Sequence, residues 1–360
     1  MRLLLVLSLF FFFLIDGYSQ DTRGGDQDNN ASRSKKKIGR TLLDDSTKIM
    51  YGMNTTSYIL SSQLFEGDTN FIQVDSSLNN FEKFSVFEKN KMRFQNLGNL
   101  GTPLEDLFDR TPKLFNVSSG FNSLDSYYNA IRNNKFYNTK SPFIDLELIL
   151  GGKGRNKVDF LFTRNINKNW NIGFDIHRIT SDKQIGATKI KGDRNVNSSA
   201  FNFFVYHESK NKKVKLFSSF LNFSHQILGT GGIDLEIQDL PLEYFLYNDS
   251  EVRLSKVENN DKRKSYHVFF EYKLLKKFKI YANVEYYTQN ISYNDDNLSL
   301  NVLYYDSILN DNVVTADFFK LSSLRNRIGI QGSIARIEYN FYANYNLLNY
   351  KYLFYTFIII

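Results

Sequence analysis

The chain has 360 residues and a formal charge of +7, and its 42% hydrophobic content is too low for a bundle of membrane helices. Aromatic residues are abundant, with 33 Phe and 23 Tyr against 4 Pro, and this composition favours β-strands. The absence of cysteine excludes disulfides and thiolate metal sites. Much of the positive charge lies in Lys35 to Lys37 and in turns such as Lys210 to Lys213, so we expect no nucleic acid partner.

The first nineteen residues have the pattern of a cleavable signal peptide. Arg2 supplies the basic start, Leu3 to Ile15 form an apolar core, and Gly17 and Ser19 are small residues at the −3 and −1 positions. The core is shorter than the roughly 20 residues that a helix needs to cross a bilayer, which argues against the alternative of a membrane anchor. We therefore expect an exported protein whose mature chain begins at Gln20.

Two polar regions follow the signal. Residues 20–46 are charged and rich in Gly, Asn and Ser without any period, and this pattern predicts a disordered lead. Residues 47–141 carry short β-like pieces such as Phe71 to Val74, and then Gly and Pro residues that indicate irregular backbone rather than long helices. We expect this second region to be an extramembrane part of the protein, either periplasmic or plug-like.

The rest of the chain has the pattern of antiparallel strands whose connections are alternately short and long. Three strands between Phe143 and Ile179 alternate apolar and polar residues, as in Trp170 to His177, and short turns join them. Long polar connections at Asp182 to Ser198, Ile227 to Lys264 and Thr288 to Ser323 alternate with tight turns. Outer-membrane barrels have this arrangement, with short periplasmic turns and longer extracellular loops.

These features together predict an all-β fold. An exported chain without a spanning helix can enter a membrane only as a closed barrel, because only then are its backbone hydrogen bonds satisfied in lipid. We predict an antiparallel up-and-down transmembrane β-barrel of nine to eleven strands over residues 142–360, with an N-terminal extramembrane region. A soluble β-sandwich is the alternative, since its solvated face would tolerate the same alternation.

Ionisable residues recur at mid-strand on the polar faces of the predicted strands. In a transmembrane barrel the apolar face meets lipid and the polar face lines the lumen. Leu146, Phe160, Phe174 and Ile280 are therefore expected to face lipid. The candidate lumen-lining residues are Asp145, Glu147, Asp159, Asp175, His177, Glu271, Lys273, Lys279, Glu285, Arg325, Arg327, Arg336 and Glu338.

Several short motifs also carry a resemblance to a known family. They are Gln95 to Pro103, then Tyr137 to Pro142 leading into a strand and Gly151 to Gly154, and finally Asn169 to Phe174. In these motifs the chain resembles the putative porin family of Bacteroidota outer membranes. The resemblance implies an outer-membrane β-barrel and supplies no catalytic residues. It also implies a longer chain, whereas this sequence stops at the apolar run Phe357 to Ile360, so we expect a C-terminally truncated, partial barrel.

The sequence offers little support for catalysis or metal binding. The four histidines lie on different predicted strands and lack metal-ligand spacing. Gly151 to Gly154 precedes a strand rather than a helix, which indicates a hairpin turn instead of a phosphate-binding loop. Asp145 and Glu147 could act in acid–base chemistry, but carboxylates on one strand face more often hydrate a pore. We expect no enzyme, no cofactor and no metal.

Three classes of function fit these predictions. A passive diffusion porin for small solutes is favoured, because acids and bases are mixed on the predicted lumen wall; such a wall predicts weak charge preference. A substrate-specific transporter would use residues 47–141 as a plug, and a structural or adhesive barrel would act through its long loops. Expected partners are outer-membrane lipid, small solutes and the barrel-assembly machinery, while the solute, strand number and oligomeric state stay open.

Overall fold

The structure is a computed structural model, and it describes part of the chain. The described residues are 55–75, 83, 94–96, 98–108, 119–186, 193–234, 250–254, 257–275, 277–296, 298, 301, 304–305, 315–334 and 337–353. Side chains are described throughout these ranges except for those of Asn96 and Ala130. The predicted signal peptide and disordered lead lie outside them.

The N-terminal region, residues 55–141 as far as they are described, contains short elements. Its strands β1 and β5 pair antiparallel over five residues, β2 pairs with the other edge of β1, and β3 pairs with β4. Two helices of five and eight residues complete it. The elements are β1 (Thr56–Leu60), α1 (Ser61–Phe65), β2 (Ile72–Gln73), β3 (Phe94–Asn96), β4 (Leu104–Asp106), α2 (Asp125–Arg132) and β5 (Lys135–Thr139).

Nine long strands form one antiparallel sheet, and each pairs with the next along the chain. This consecutive order confirms the predicted all-β, up-and-down fold. The outermost strands of the sheet are the first and the last, which do not pair with each other. The strands are β6 (Phe143–Leu150), β7 (Asn156–Asn167), β8 (Trp170–Asp182), β9 (Arg194–Glu208), β10 (Val214–Gly229), β11 (Val257–Leu275), β12 (Phe278–Asp295), β13 (Thr315–Ile334) and β14 (Ile337–Leu353).

The turn at Gly151 to Gly154 joins β6 to β7 as a hairpin, as the sequence predicts. The amide of Gly151 donates to the carbonyl of Arg155 at 2.8 Å. Lys153 and Gly154 both have positive φ, at 56° and 64°, a backbone conformation common in tight hairpin turns. Because the turn is short, it fixes the register in which Asp145 lies opposite Leu161.

The predicted bounds of the later strands are too short. The sequence places a strand at Ser265 to Leu274 and a connection before it, whereas β11 has 19 residues and begins at Val257. β12 and β13 have 18 and 20 residues, twice the roughly 9–11 that cross a bilayer. The error has a physical cause. On the outward face the apolar residues stop after Tyr266, and Lys264 and Lys262 follow, so the hydrophobic alternation ends before the strand does.

The two faces of the sheet differ in composition and exposure. One face carries exposed apolar side chains, including Leu146 at 60%, Phe203 at 41% and Ile280 at 37% relative exposure. Phe160 shares this face because it is paired with Leu146 on the neighbouring strand. Phe160 is in turn paired with Ile176, and Phe174, two residues from Ile176 on the same strand, therefore also lies on this face. The opposite, polar face carries the ionisable positions; the N-terminal region covers much of it, whereas β14 is exposed on both faces. The four residues predicted to meet lipid thus lie together on the exposed apolar face.

The N-terminal region packs on the polar face through two hydrophobic clusters. In one, Tyr127 and Tyr128 of α2 contact Phe223 and other side chains of the sheet. In the other, Ile59 and Phe136 meet rings from β9, β10, β11 and β12. Phe136 is fully buried and Tyr128 is 1% exposed. Full burial of a large apolar side chain stabilises by about 1.5–3 kcal/mol, so these contacts hold the region firmly on the sheet.

Neither helix in the described part of the chain has the length and apolar character that a membrane crossing requires.

Candidate functional site

The polar face of the sheet is the candidate site, and its ionisable residues fall into two separate groups. We call strands β11 to β13 the ion-paired side, because their charges bind groups of the N-terminal region. We call strands β6 to β8 the cavity side, because their charges line an open space.

Helix α2 is held on the ion-paired side by a buried ion pair. Nη2 of Arg132, at the end of the helix, donates to both carboxylate oxygens of Glu285 at 2.9 and 3.0 Å. Arg325 lies 3.2 Å from the same carboxylate, and the hydroxyl of Ser265 donates to it at 3.2 Å. The Glu285 side chain is only 3% exposed, so these donors replace the water that would otherwise solvate its charge.

The start of the same helix is held by a second arginine. Nη1 of Arg263 donates to Asp125 at 2.6 Å, while Nε of Arg263 donates to both oxygens of Asp261 at 2.9 and 3.0 Å. The Arg263 guanidinium also lies 4.8 Å from the centre of the Tyr128 ring. Arg263 and Asp261 are each 3% exposed, which makes them a fully desolvated pair in the middle of the interface.

Helix α1 and the segment after it are bound near the short turns of the sheet. Nζ of Lys279 donates to the carbonyl of Gly67 at 3.2 Å and to Glu271 at 2.9 Å. The hydroxyl of Thr69 donates to Glu271 at 3.2 Å. Arg327 donates to the carbonyl of Phe65 at the end of α1. In these contacts, side chains of the sheet donate hydrogen bonds to backbone carbonyls that a short helix leaves without a partner.

The motif Gln95 to Pro103 forms a third set of contacts. Nε2 of His225 donates to the carbonyl of Gly101 at 2.8 Å, and the hydroxyl of Ser181 donates to the carbonyl of Leu100 at 2.8 Å. Nδ2 of Asn99 donates to the carbonyl of Asp182 at 2.8 Å. Three consecutive motif residues therefore bind the ends of β8 and β10, which gives this motif a structural role.

Gly101 occupies a position that other residues fit poorly. Its φ is +87°, and a Cβ added there would lie 2.7 Å from Cγ1 of Val196. The left-handed backbone turns the Gly101 carbonyl toward His225, and the missing side chain lets the chain approach β9 closely.

Burial and a nearby charge also determine the protonation states of side chains on helix α2. It raises the pKa of the Tyr127 and Tyr128 hydroxyls, so both stay neutral. The Tyr127 hydroxyl donates to the carbonyl of Thr102 at 2.8 Å. Burial lowers the pKa of Arg132, but the nearby Glu285 carboxylate outweighs it and the net pKa is raised, so Arg132 stays charged.

On the cavity side, β6 to β8 and the N-terminal region enclose a cavity of about 380 Å³. This volume is in the range of roughly 300–1,000 Å³ that holds small molecules. Nζ of Lys157 bridges Glu147 at 3.0 Å and Asp159 at 2.8 Å. The two ring nitrogens of His177 lie 2.8 Å from Asp159 and 2.9 Å from Asp175. Asn133, Asn134, Lys135 and Tyr137 form the opposite wall.

The sequence-based list of lumen residues is divided between these two sides. Asp145, Glu147, Asp159, Asp175 and His177 come together at the cavity. The register places most others on the same polar face of β11 to β14, and Arg336 lies outside the described residues. Those placed on β11 to β14 are Glu271, Lys273, Lys279, Glu285, Arg325, Arg327 and Glu338.

No pattern in the sequence predicts the residues that hold helix α2. Arg263 and Asp261 fall within the segment that was expected to be a long connection. Asp125 and Arg132 lie in a region without a clear period, so no pattern marks them as partners of the sheet. A weak signal was present in the helix itself, whose acid is at the start and whose base is at the end, as the helix dipole favours.

Comparison with solved structures gives matches to an import receptor and an iron transporter. The closed form of the ferric-catecholate import receptor Fiu from E. coli K12 is 11% identical, with a TM-score of 0.40, covering 58% of this chain and 32% of the receptor. The FrpB iron transporter from Neisseria meningitidis is 10% identical, with a TM-score of 0.37, covering 59% of this chain and 30% of the transporter. The chain thus spans about a third of the length of these proteins.

Comparison with curated proteins gives no match. Comparison with protein families matches residues 56–358 to the family described as "Putative porin". The match covers both the N-terminal region and the nine-stranded sheet, and it agrees with the exposed apolar face expected of an outer-membrane β-barrel. This chain belongs to the putative porin family.

Proposed function

We propose that the protein is a plugged outer-membrane porin, exported by its first nineteen residues, in which the N-terminal region controls solute passage. The observation that carries the proposal is the pair of ionic contacts at the two ends of helix α2, Arg132 with Glu285 and Asp125 with Arg263, in which the sheet residues Glu285 and Arg263 are buried and the helix residues are partly exposed. These contacts lie on the face that an open pore would keep in water.

Passive diffusion through an open lumen, which the sequence favours, is the alternative. An open pore works best when its wall charges are hydrated, because solutes then pass a broad aqueous channel. Here Glu285 and Asp261 are almost completely covered and their charges are paired. Removing one partner from a buried pair costs about 3–5 kcal/mol, so the plug does not leave the ion-paired side easily. This energetic barrier supports gated passage over free diffusion.

The cavity side supplies the route in this proposal. On this side Lys157 pairs with Glu147, His177 pairs with Asp159, and Asp145 is exposed. Four carboxylates face the cavity, while Lys157 and His177 lie between three of them. Lys135 on the opposite wall adds a third basic group, so the charges of the lining are nearly balanced and a neutral polar solute fits it best.

A reversible cross-link between the plug and the sheet tests the proposal. A Cβ at Gly101 would lie 3.4 Å from Cβ of Val196, close to the roughly 3.5–4.5 Å of disulfides. The native chain has no cysteine, so Gly101→Cys with Val196→Cys gives one defined bond. We expect solute uptake by proteoliposomes to fall on oxidation and to recover after reduction.

The single variants Gly101→Cys and Val196→Cys are the matched controls, and their uptake should not respond to oxidation. If the oxidised double variant transports solutes as fast as the reduced one, passage does not require movement at this contact and the open-diffusion alternative is favoured. Planar bilayer conductance of the same variants gives an independent readout, in which a plugged porin shows rare openings and an open porin shows steady current.

A further inference from the structure

On the outward face of the sheet, one row of residues crosses seven strands and is rich in positive charge. The cross-strand register connects the seven positions in sequence from β8 to β14. Four of them are cations and none is an acid. The row consists of Arg178, Ser199, Ser224, Lys262, Asn290, Lys320 and Lys351.

The row lies beyond the apolar belt of the outward face, toward the long connections, and one mostly polar row that includes Lys264 lies between them. Two rows nearer the short turns, the same strands carry only apolar and aromatic residues, among them Phe174, Tyr266 and Tyr286. Four residues along a strand correspond to about 13 Å. Aromatic residues mark the membrane interface of outer-membrane barrels, and the long connections are extracellular. The cationic row therefore lies at the level of the outer-leaflet headgroups.

Within the described residues the three lysines of this row form no ion pair, whereas Nη2 of Arg178 donates to Oδ1 of Asn197 at 3.2 Å. Lys320 lies directly opposite Lys351, and Lys262 is two strands away from Lys320 on the same row. All three lysines are exposed. Like charges directly opposite each other destabilise a sheet, so the pair formed by Lys320 and Lys351 is unfavourable by itself. An external anion between them would remove this repulsion.

We propose that this row binds the phosphate groups of an anionic outer-leaflet lipid. The lysines supply compact charges, Arg178 can donate two parallel hydrogen bonds to one phosphate, and the side chains of Ser199 and Asn290 can donate between them. A lipid is favoured over a soluble anion because the apolar belt about 13 Å from the row accommodates acyl chains. The inference is independent of how solutes cross the barrel.

The test uses the full chain in non-ionic detergent and native mass spectrometry. The probes are phosphorylated lipid A and the same lipid A after enzymatic removal of its phosphates. We expect the wild-type protein to bind the phosphorylated form roughly tenfold or more tightly, since each interfacial cation contributes roughly fivefold. The combined change Lys262→Gln, Lys320→Gln and Lys351→Gln should remove most of this preference.

A matched variant removes three lysines from the opposite rim, Lys210→Gln, Lys213→Gln and Lys277→Gln, and should bind like the wild type.

Folding is checked by heat-modifiable migration on gels. If the triple variant does not fold, Lys320→Gln alone serves, because it relieves the like-charge pair and should still weaken binding. Equal binding of both lipid forms, equal loss in the rim variant, or displacement of the lipid by the same concentration of inorganic phosphate would each overturn the proposal.

Discussion

The ion-paired side and the cavity side carry similar side chains but use them differently. On the ion-paired side, Arg132 of helix α2 binds Glu285 of the sheet, and Arg263 of the sheet binds Asp125 of the helix. On the cavity side, Lys157 and His177 bind acids of the same or neighbouring strands, and a space of about 380 Å³ remains. The difference teaches that the same mixture of charges holds the N-terminal region where the pairs cross the interface and leaves a cavity where charges of the sheet pair with each other.

The largest expected effect comes from removing Arg263. Arg263→Ala leaves Asp261 buried without its main partner, which should cost about 3–5 kcal/mol of docking free energy. The undocked population should rise by a factor of roughly a hundred to a thousand or more. Trypsin cleavage within the N-terminal region measures this population. Lys157→Ala on the cavity side is the comparison, and a similar rise there would remove the distinction between the two sides.

Gly101→Ala should have the next largest effect. The substitution places a side chain at a φ of +87° and against Val196, with an expected cost of about 1–3 kcal/mol. The same protease assay should show faster cleavage. Gly152→Ala is a suitable control, since its φ is not left-handed and no heavy atom lies within 4 Å of the added Cβ. Comparable cleavage in both variants would show that the close approach at Gly101 is unimportant.

A pair of tyrosines on helix α2 gives a finer comparison. Tyr127→Phe removes the hydroxyl that binds the Thr102 carbonyl and should cost about 1 kcal/mol. Tyr128→Phe should be neutral or slightly stabilising, because the buried Tyr128 hydroxyl has no hydrogen-bond partner in the described structure. Urea unfolding in lipid vesicles, followed by fluorescence, compares the two. The reverse order of stabilities would contradict the hydrogen-bond assignment.

The smallest expected effect belongs to the cavity side. Asp145→Asn removes one exposed negative charge beside the cavity, and a charge about 8 Å from a solute in water contributes about 0.5 kcal/mol. The ratio of cation to anion permeability should fall roughly twofold, as measured by the reversal potential in a salt gradient. Glu105→Gln, in an exposed part of the N-terminal region, should leave the ratio unchanged. A larger effect of the control would exclude the cavity as the route.

The sequence predicts which side chains share a face of the sheet better than it predicts which side chains bind each other. Alternation between Asp145 and His177 puts those side chains on one face of a sheet, as the register also does, because the strand period depends only on local geometry. The lengths of β11 and β13 were wrong, since their outer halves no longer meet lipid and lose the apolar signal. The pairing of Arg263 with Asp125 could not be predicted, because it joins residues 138 positions apart and follows from the docking of a whole region.

The separation in sequence between the N-terminal region and its partners sets the order of folding. Arg132 binds a residue 153 positions later, and the carbonyl of Glu66 accepts a hydrogen bond from Asn340, 274 positions later. An isolated helix of eight residues is unstable in water, so α2 has no persistent structure before its binding surface exists. Helix α2 therefore becomes ordered only after the strands that it packs against have paired. Until then it stays open to proteases and chaperones.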